Sequence, residues 1–168
     1  MPRVDQQIRV TAPIDQVYQF WRNFENFPLF MQYVDEVTLL DPEGRRSQWK
    51  LGGPLGATIE LDSELTEDVP PSVISWNSVE GTIDLCGGVT FTQANEQETL
   101  VHVLMEWSDP PAGAIGEAVG QIFANPDQML TEDLTRFKVL VEERLAAGNP
   151  QPPAPPSGPD SHAAVASS

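Results

Sequence analysis

Residues 8–31 read IRVTAPIDQVYQFWRNFENFPLFM, and three kinds of local order follow one another within them. The stretch opens on the end of an alternation, with Val4, Gln6, Ile8 and Val10 on one side and Asp5, Gln7 and Arg9 on the other. A period of two is that of a half-buried strand. Thr11 or Ala12 then stands where a helix cap would, with Pro13 in the first turn and Asp15 facing the helix dipole. Ile14, Val17, Tyr18 and Trp21 recur at helical steps, so an amphipathic helix follows the strand. Pro28 suits the first turn of a second short helix, around Phe27 to Gln32. Between Gln19 and Val34 lie Phe20, Trp21, Phe24, Phe27, Phe30 and Tyr33, a dense aromatic run in an acidic chain. It is either packed core or the wall of something hollow.

Beyond this run the period becomes two and stays so as far as Asp109. In GATIELDSELTED, Ile59, Leu61, Ser63 and Leu65 share one face, and Glu60, Asp62 and Glu64 share the other. Further strands are expected in VDEVTLL, SQWKL, SVISWNSV, IDLCGGVTFTQ and TLVHVLMEW, separated by DPEG, GGPLG, DVPPS and NEQE. Hairpin-sized links imply an antiparallel meander, and no helix interrupts it to make a parallel unit. The helical period then returns, first in Ala118, Val119, Ile122 and Phe123. Asn125 and Pro126 next open a long helix with Leu130, Leu134, Phe137, Val141 and Leu145 on its apolar face. The class is α+β: a strand, two short helices, a curved antiparallel sheet of about six or seven strands, and a long closing helix.

The chain has 168 residues and a formal net charge of −16, from 25 acids against 9 bases. Its cations are scattered, so a phosphate backbone would be repelled, and nucleic acid is not an expected partner. One cysteine, Cys86, allows no internal disulfide. No apolar run is long enough to span a membrane, so no stable membrane insertion is expected, and a cytoplasmic location is. Residues 1–147 make the expected domain. Residues 148–168, rich in Pro, Ala and Ser, are expected to be a disordered tail.

The stretch Ile8–Met31 resembles the start of the START-like superfamily, whose fold is the helix grip. It is most similar to the polyketide cyclase/dehydrase branch, which includes coenzyme Q-binding START proteins. Ile8, Ala12, Pro13, Val17, Trp21, Phe24, Glu25, Asn26, Phe27, Pro28 and Met31 carry the likeness, and the order of strands and helices extends it over nearly all of residues 3–146. The resemblance implies a pocket between the sheet and the long helix, with Phe27, Phe30 and Met31 at its rim. Members include lipid and quinone carriers and polyketide aromatases and cyclases, so fold alone does not choose among them.

Strand parity then indicates what would line such a pocket. Taking the apolar face as inward places Trp49, Ile59, Leu61, Ser63, Trp76, Ser78, Met105 and Trp107 inside, with Phe123, Leu130, Leu134 and Phe137 facing them from the helices. With Phe30 and Met31, these are the expected ligand-binding residues. No Asp, Glu, His, Lys or Arg has inward parity in the strands. Glu60, Asp62, Glu64, Glu67 and Asp68 are read as a solvated outer face. His102 and Glu106 share that outer face as a surface pair, and Cys86 has outward parity too. Only near LCGGV would a bulge turn Asp84 or Cys86 inward.

No catalytic or metal-binding grouping emerges, and no cofactor is implied. The expected function is therefore binding of a hydrophobic small molecule (a lipid, an isoprenoid quinone or a polyketide), with transport or sequestration as its purpose. One alternative is a polyketide aromatase/cyclase that works by shaping its substrate, with Ser63, Ser78 and Gln6 as hydrogen-bond donors. A second is a protein-interaction module using the acidic face or the tail. A pocket filled by its own side chains remains the plain structural alternative.

Overall fold

The computed structural model describes residues 2–53, 56, 58–81, 83–108 and 113–147. The proline-rich tail lies outside the described residues. Seven strands form: β1 (Arg3–Val10), β2 (Val34–Leu39), β3 (Arg46–Gly52), β4 (Thr58–Val69), β5 (Val73–Gly81), β6 (Leu85–Asn95) and β7 (Glu98–Trp107). Short links pair each strand from β2 to β7 antiparallel with the next, and β1 closes the series beside β7. The sheet order is β1-β7-β6-β5-β4-β3-β2. Between the two edge strands the chain crosses through α1 (Ile14–Arg22) and a 3₁₀ helix (Phe24–Leu29). After β7 come α2 (Ala114–Ile122) and α3 (Pro126–Ala146), and the curled sheet grips α3 as in the helix-grip arrangement.

The second short helix differs from expectation in place and kind. It begins at Phe24 rather than Phe27, and Pro28 lies inside it rather than in its first turn. A 3₁₀ helix has three residues per turn, so Phe24 and Phe27 fall on one side. Their rings pack edge to face at 5.6 Å, a contact that rewards this tighter winding. Pro13 likewise stands just before α1 rather than within it.

α3 has 21 residues, so at 1.5 Å per residue it runs about 31 Å across the sheet. Polar ties fix it at both ends of the layer. Gln6 Nε2 on β1 donates to Asp127 at 3.1 Å, and the Thr11 N–H donates to Glu142 at 2.6 Å. Arg136 Nε donates to the Phe30 carbonyl at 3.0 Å. Where α1 crosses α3, Phe20, Trp21, Phe27, Phe30 and Phe137 are all buried. Their rings meet at centroid distances of 5.0–6.2 Å. Among the described residues no helix is long and apolar enough to cross a membrane.

Several strand pairs carry register shifts, and one of these changes which acids face inward. The β4–β5 register slips between Leu65 and Glu67, leaving Thr66 as an extra residue. A bulge reverses the parity of everything beyond it. Glu67 then pairs with outward Ser75, and Asp68 pairs with inward Ile74. Asp68 is therefore not part of the outer acidic face. It lies under α1, where it accepts hydrogen bonds from Tyr18 Oη and, at 3.0 Å, from Arg22 Nε. Arg22 NH2 also donates to the Glu43 carbonyl at 2.9 Å, tying α1 to the β2–β3 turn. The β5–β6 pairing through Cys86, Gly87 and Gly88 carries no slip, so Cys86 stays outward beside Glu106.

Candidate ligand cavity

Away from the aromatic cluster, the space between sheet and helices is not filled. The inner faces of β3 to β7 supply Trp49, Leu51, Leu61, Ser63, Trp76, Leu85, Val103 and Met105 to this cavity. The chain around the 3₁₀ helix adds Trp21, Phe27, Met31, Tyr33 and Val34, and the α2–α3 corner adds Ile122, Phe123, Met129 and Asp133. The unfilled volume is about 70 Å³, or about 660 Å³ when the open mouth is counted.

Several expected ligand-binding residues come together here: Met31, Trp49, Leu61, Ser63, Trp76, Met105 and Phe123. The others are placed elsewhere. Phe30 and Phe137 are locked in the aromatic cluster, and Leu130, Leu134 and Ile59 are buried in the core. Trp107 lies behind the wall, stacked on Phe123 at 4.4 Å. Ser78 is turned to its own hairpin, where its hydroxyl accepts the Leu85 N–H at 2.9 Å. His102 is exposed on the opposite side of the sheet, where its Nε2 lies 3.4 Å from Asp5 rather than against Glu106.

The wall is apolar except at a few points. Ser63 Oγ donates to the Asn77 carbonyl at 3.3 Å, and Trp49 Nε1 donates to Ser47 Oγ at 2.8 Å. Trp21 is fully buried, and its indole N–H has no hydrogen-bond partner among the described residues. The outlier is Asp133, a carboxylate only 2% exposed. Its Oδ1 accepts the Gln32 N–H at 3.1 Å, Gln32 Nε2 at 3.3 Å, and Arg136 NH2. Burial pushes its carboxyl pKa up, against the pull of the Gln32 and Arg136 donors.

Asp133 escapes strand parity, which says nothing of the faces of a helix. The signal was present in α3: Leu130, Asp133, Leu134 and Phe137 lie at three- and four-residue steps, so an acid sits within the apolar stripe. Met129, Tyr33 and Val34 were also unforeseen. Among the described residues, no three His, Cys, Asp or Glu side chains gather as metal ligands would.

This architecture matches known proteins along most of its length. The family described as polyketide cyclase/dehydrase and lipid transport matches residues 10–135. The chain belongs to that family. An uncharacterized 17.2 kDa protein from the melC2-rnhH intergenic region of Streptomyces lincolnensis is 30% identical over 144 residues, covering 86% of this chain and 92% of that one. In structure, this family member is similar to the Zhui aromatase/cyclase from Streptomyces sp. R1128, with a TM-score of 0.70 at 19% identity, over 88% of this chain and 98% of that one. A START superfamily protein from Mycobacterium smegmatis gives a TM-score of 0.62 at 15% identity, over 84% and 97%. At these identities the two structures speak for the helix-grip fold and not for a shared reaction.

Proposed function

We propose that this protein binds a hydrophobic small molecule (a lipid, an isoprenoid quinone or a polyketide) between its sheet and its long helix, and carries or sequesters it. The observation behind this reading is unfilled space walled by indoles, aliphatic groups and thioethers in a protein otherwise closely packed. Burying a ligand's apolar surface there stabilises the complex by about 25 cal/mol per Å². The resting volume of about 70 Å³ is well short of the several hundred Å³ typical of ligand pockets, so the wall has to yield. Its composition suits that. Of the chain's 4 methionines, Met31, Met105 and Met129 all line the cavity, and methionine repacks around irregular shapes at little cost.

Native mass spectrometry of purified protein, followed by organic extraction, tests the reading directly. A bound apolar molecule should appear in stoichiometric amount and be lost in Trp76→Ala. An empty protein that also fails to bind a hydrophobic dye would refute the proposal.

Asp133 favours a second reading, that of an aromatase/cyclase. Among the described residues Asp133 is the one carboxyl on the cavity wall, and burial raises its pKa, the direction required of a group that passes a proton to a carbonyl of a bound polyketide. Under this reading Asp133→Asn would still bind a polyketide but would not cyclise it. Under the carrier reading no cyclised product forms with either protein.

A further inference from the structure

Outside the cavity, between the start of α3, the end of α2 and the turn before β2, lies a polar vestibule. Tyr33, Ile122 and Met129 line both spaces, so the two are neighbours across these side chains. A ligand whose apolar part fills the cavity and whose other end passes between these side chains meets the vestibule. The vestibule's character is set by amides: Gln32, Gln121, Asn125 and Gln128, with Glu132 among them.

The direction of those amides is fixed by chemistry. Gln128 Nε2 lies 3.0 Å from one oxygen of Glu132, and Gln32 Nε2 lies 3.4 Å from the other and 3.3 Å from Asp133 Oδ1. A carboxylate only accepts, so each amide must turn its NH₂ to the acid and leave its carbonyl oxygen for other partners. Gln121 also lines the vestibule, and its Oε1 is buried without a hydrogen-bond partner among the described residues. The side chain of Asn125 makes no capping bond to α3.

Arg136 is the cation beside this set, and after the hydrogen bonds from Gln128 and Gln32 its charge is among the influences that lower the Glu132 pKa. Arg136 is committed, with NH2 on Asp133 and Nε on the Phe30 carbonyl. The carboxylates are already met as well, Glu132 by two amides and Asp133 by Arg136 and Gln32. The amide carbonyls remain as neutral acceptors; they call for hydrogen-bond donors such as hydroxyls and offer nothing to a carboxylate or phosphate.

We infer that the vestibule selects ligands whose exposed end is an uncharged, hydroxyl-rich head group such as a sugar or polyol, and that it rejects carboxylate and phosphate ends. This deepens the proposed function and rests on it, since the apolar part is taken to occupy the cavity. The chain's net charge of −16 works in the same direction against anions.

Four probes separate the possibilities when titrated calorimetrically at neutral pH: nonyl glucoside, nonanoate, nonylammonium and naphthalene, which has no head group. Nonyl glucoside should bind about tenfold more tightly than nonanoate or nonylammonium. Gln121→Leu should remove most of that margin and leave naphthalene binding unchanged. Gln128→Leu repeats the test from α3 should the first variant fold poorly. Naphthalene binding combined with equal affinity for glucoside and nonanoate would overturn the inference and leave the cavity reading intact. Tighter binding of nonylammonium would overturn it too, by making the vestibule a cation site. If neither naphthalene nor glucoside binds, the cavity reading itself fails and the inference goes with it.

Discussion

The two ends of the inner layer are built from the same kinds of side chain and are finished differently. Where α1 and the 3₁₀ helix meet α3, Trp21, Phe27, Phe30 and Phe137 interlock at 5.0–5.7 Å, with only Trp21 and Phe27 also reaching the cavity. Under α2, Trp49, Trp76, Met105 and Phe123 surround open space. The difference lies in what stands opposite the large groups. At the filled end, bulky rings come from both helices. At the open end the sheet offers Ser63 and Gly87, and a methyl group placed on Gly87 would sit 2.7 Å from the Trp76 ring. The indole thus lies against bare backbone at Gly87. Hollowness here comes from small residues placed among large ones, not from any shortage of apolar groups.

If that contrast is right, truncation should be costly at one end and cheap at the other. Phe137→Ala should destabilise the protein by about 3–5 kcal/mol, the range for emptying a packed aromatic site. Phe123→Ala, at the cavity, should cost well under half as much, because its ring already borders free space. Urea unfolding of the two variants gives the comparison, and equal losses would mean that the open end is as tightly packed as the other.

The polar cluster beneath α1 should behave as part of the filled end. Tyr18→Phe leaves Asp68, turned inward by the Thr66 bulge and half-buried, with one donor fewer. A loss of about 1.5–3 kcal/mol is expected for a hydrogen bond to a charged group. Probe affinity at the cavity should not change. A fall in affinity without a fall in stability would move this cluster from scaffold to site.

The same contrast explains what could be read in the chain. Each strand announced itself by alternation, and α3 by its stripe from Leu130 to Leu145. Those patterns record which side of an element is apolar, and burial enforces them. They do not record whether opposed side chains touch, so Phe30 and Met31, neighbours in sequence, could not be sorted into cluster and cavity. Asp68 was misplaced because one extra residue at Thr66 inverts the alternation while leaving no mark in composition. Asp133 was legible in principle, as an acid at an apolar helical step, but strand parity has no view of helices.

Filling the open end is a gentler perturbation than emptying the closed one. Leu85 is half-buried on the cavity wall. Leu85→Phe should shift stability by no more than about 1 kcal/mol in either direction, since spare volume absorbs the ring. It should also weaken binding of an apolar probe about tenfold, or about 1.4 kcal/mol. Unchanged affinity would place the probe somewhere other than this cavity.

The smallest effects separate the two ends by sign. Asp133 borders the cavity, and burial raises its carboxyl pKa above the ordinary 3.8. Between that value and its raised native one, the folded protein holds more proton than the unfolded chain, so this group's contribution falls as pH rises through the window. Glu142, on the same helix beside β1, is the opposite case. Its burial works to raise the pKa, but bonds from Lys138 and the Thr11 N–H outweigh it and lower the value below 4.5. Its contribution is therefore present above 4.5 and is lost as pH falls through the native value. Relative to wild type, Asp133→Asn should gain stability as pH rises above 3.8, and Glu142→Gln should gain as pH falls below 4.5. Urea midpoints measured across this range give both slopes. If the Asp133→Asn profile ran parallel to wild type, the carboxylate at the cavity would be as well served as one in water, and the case for it as a proton-holding group would be gone.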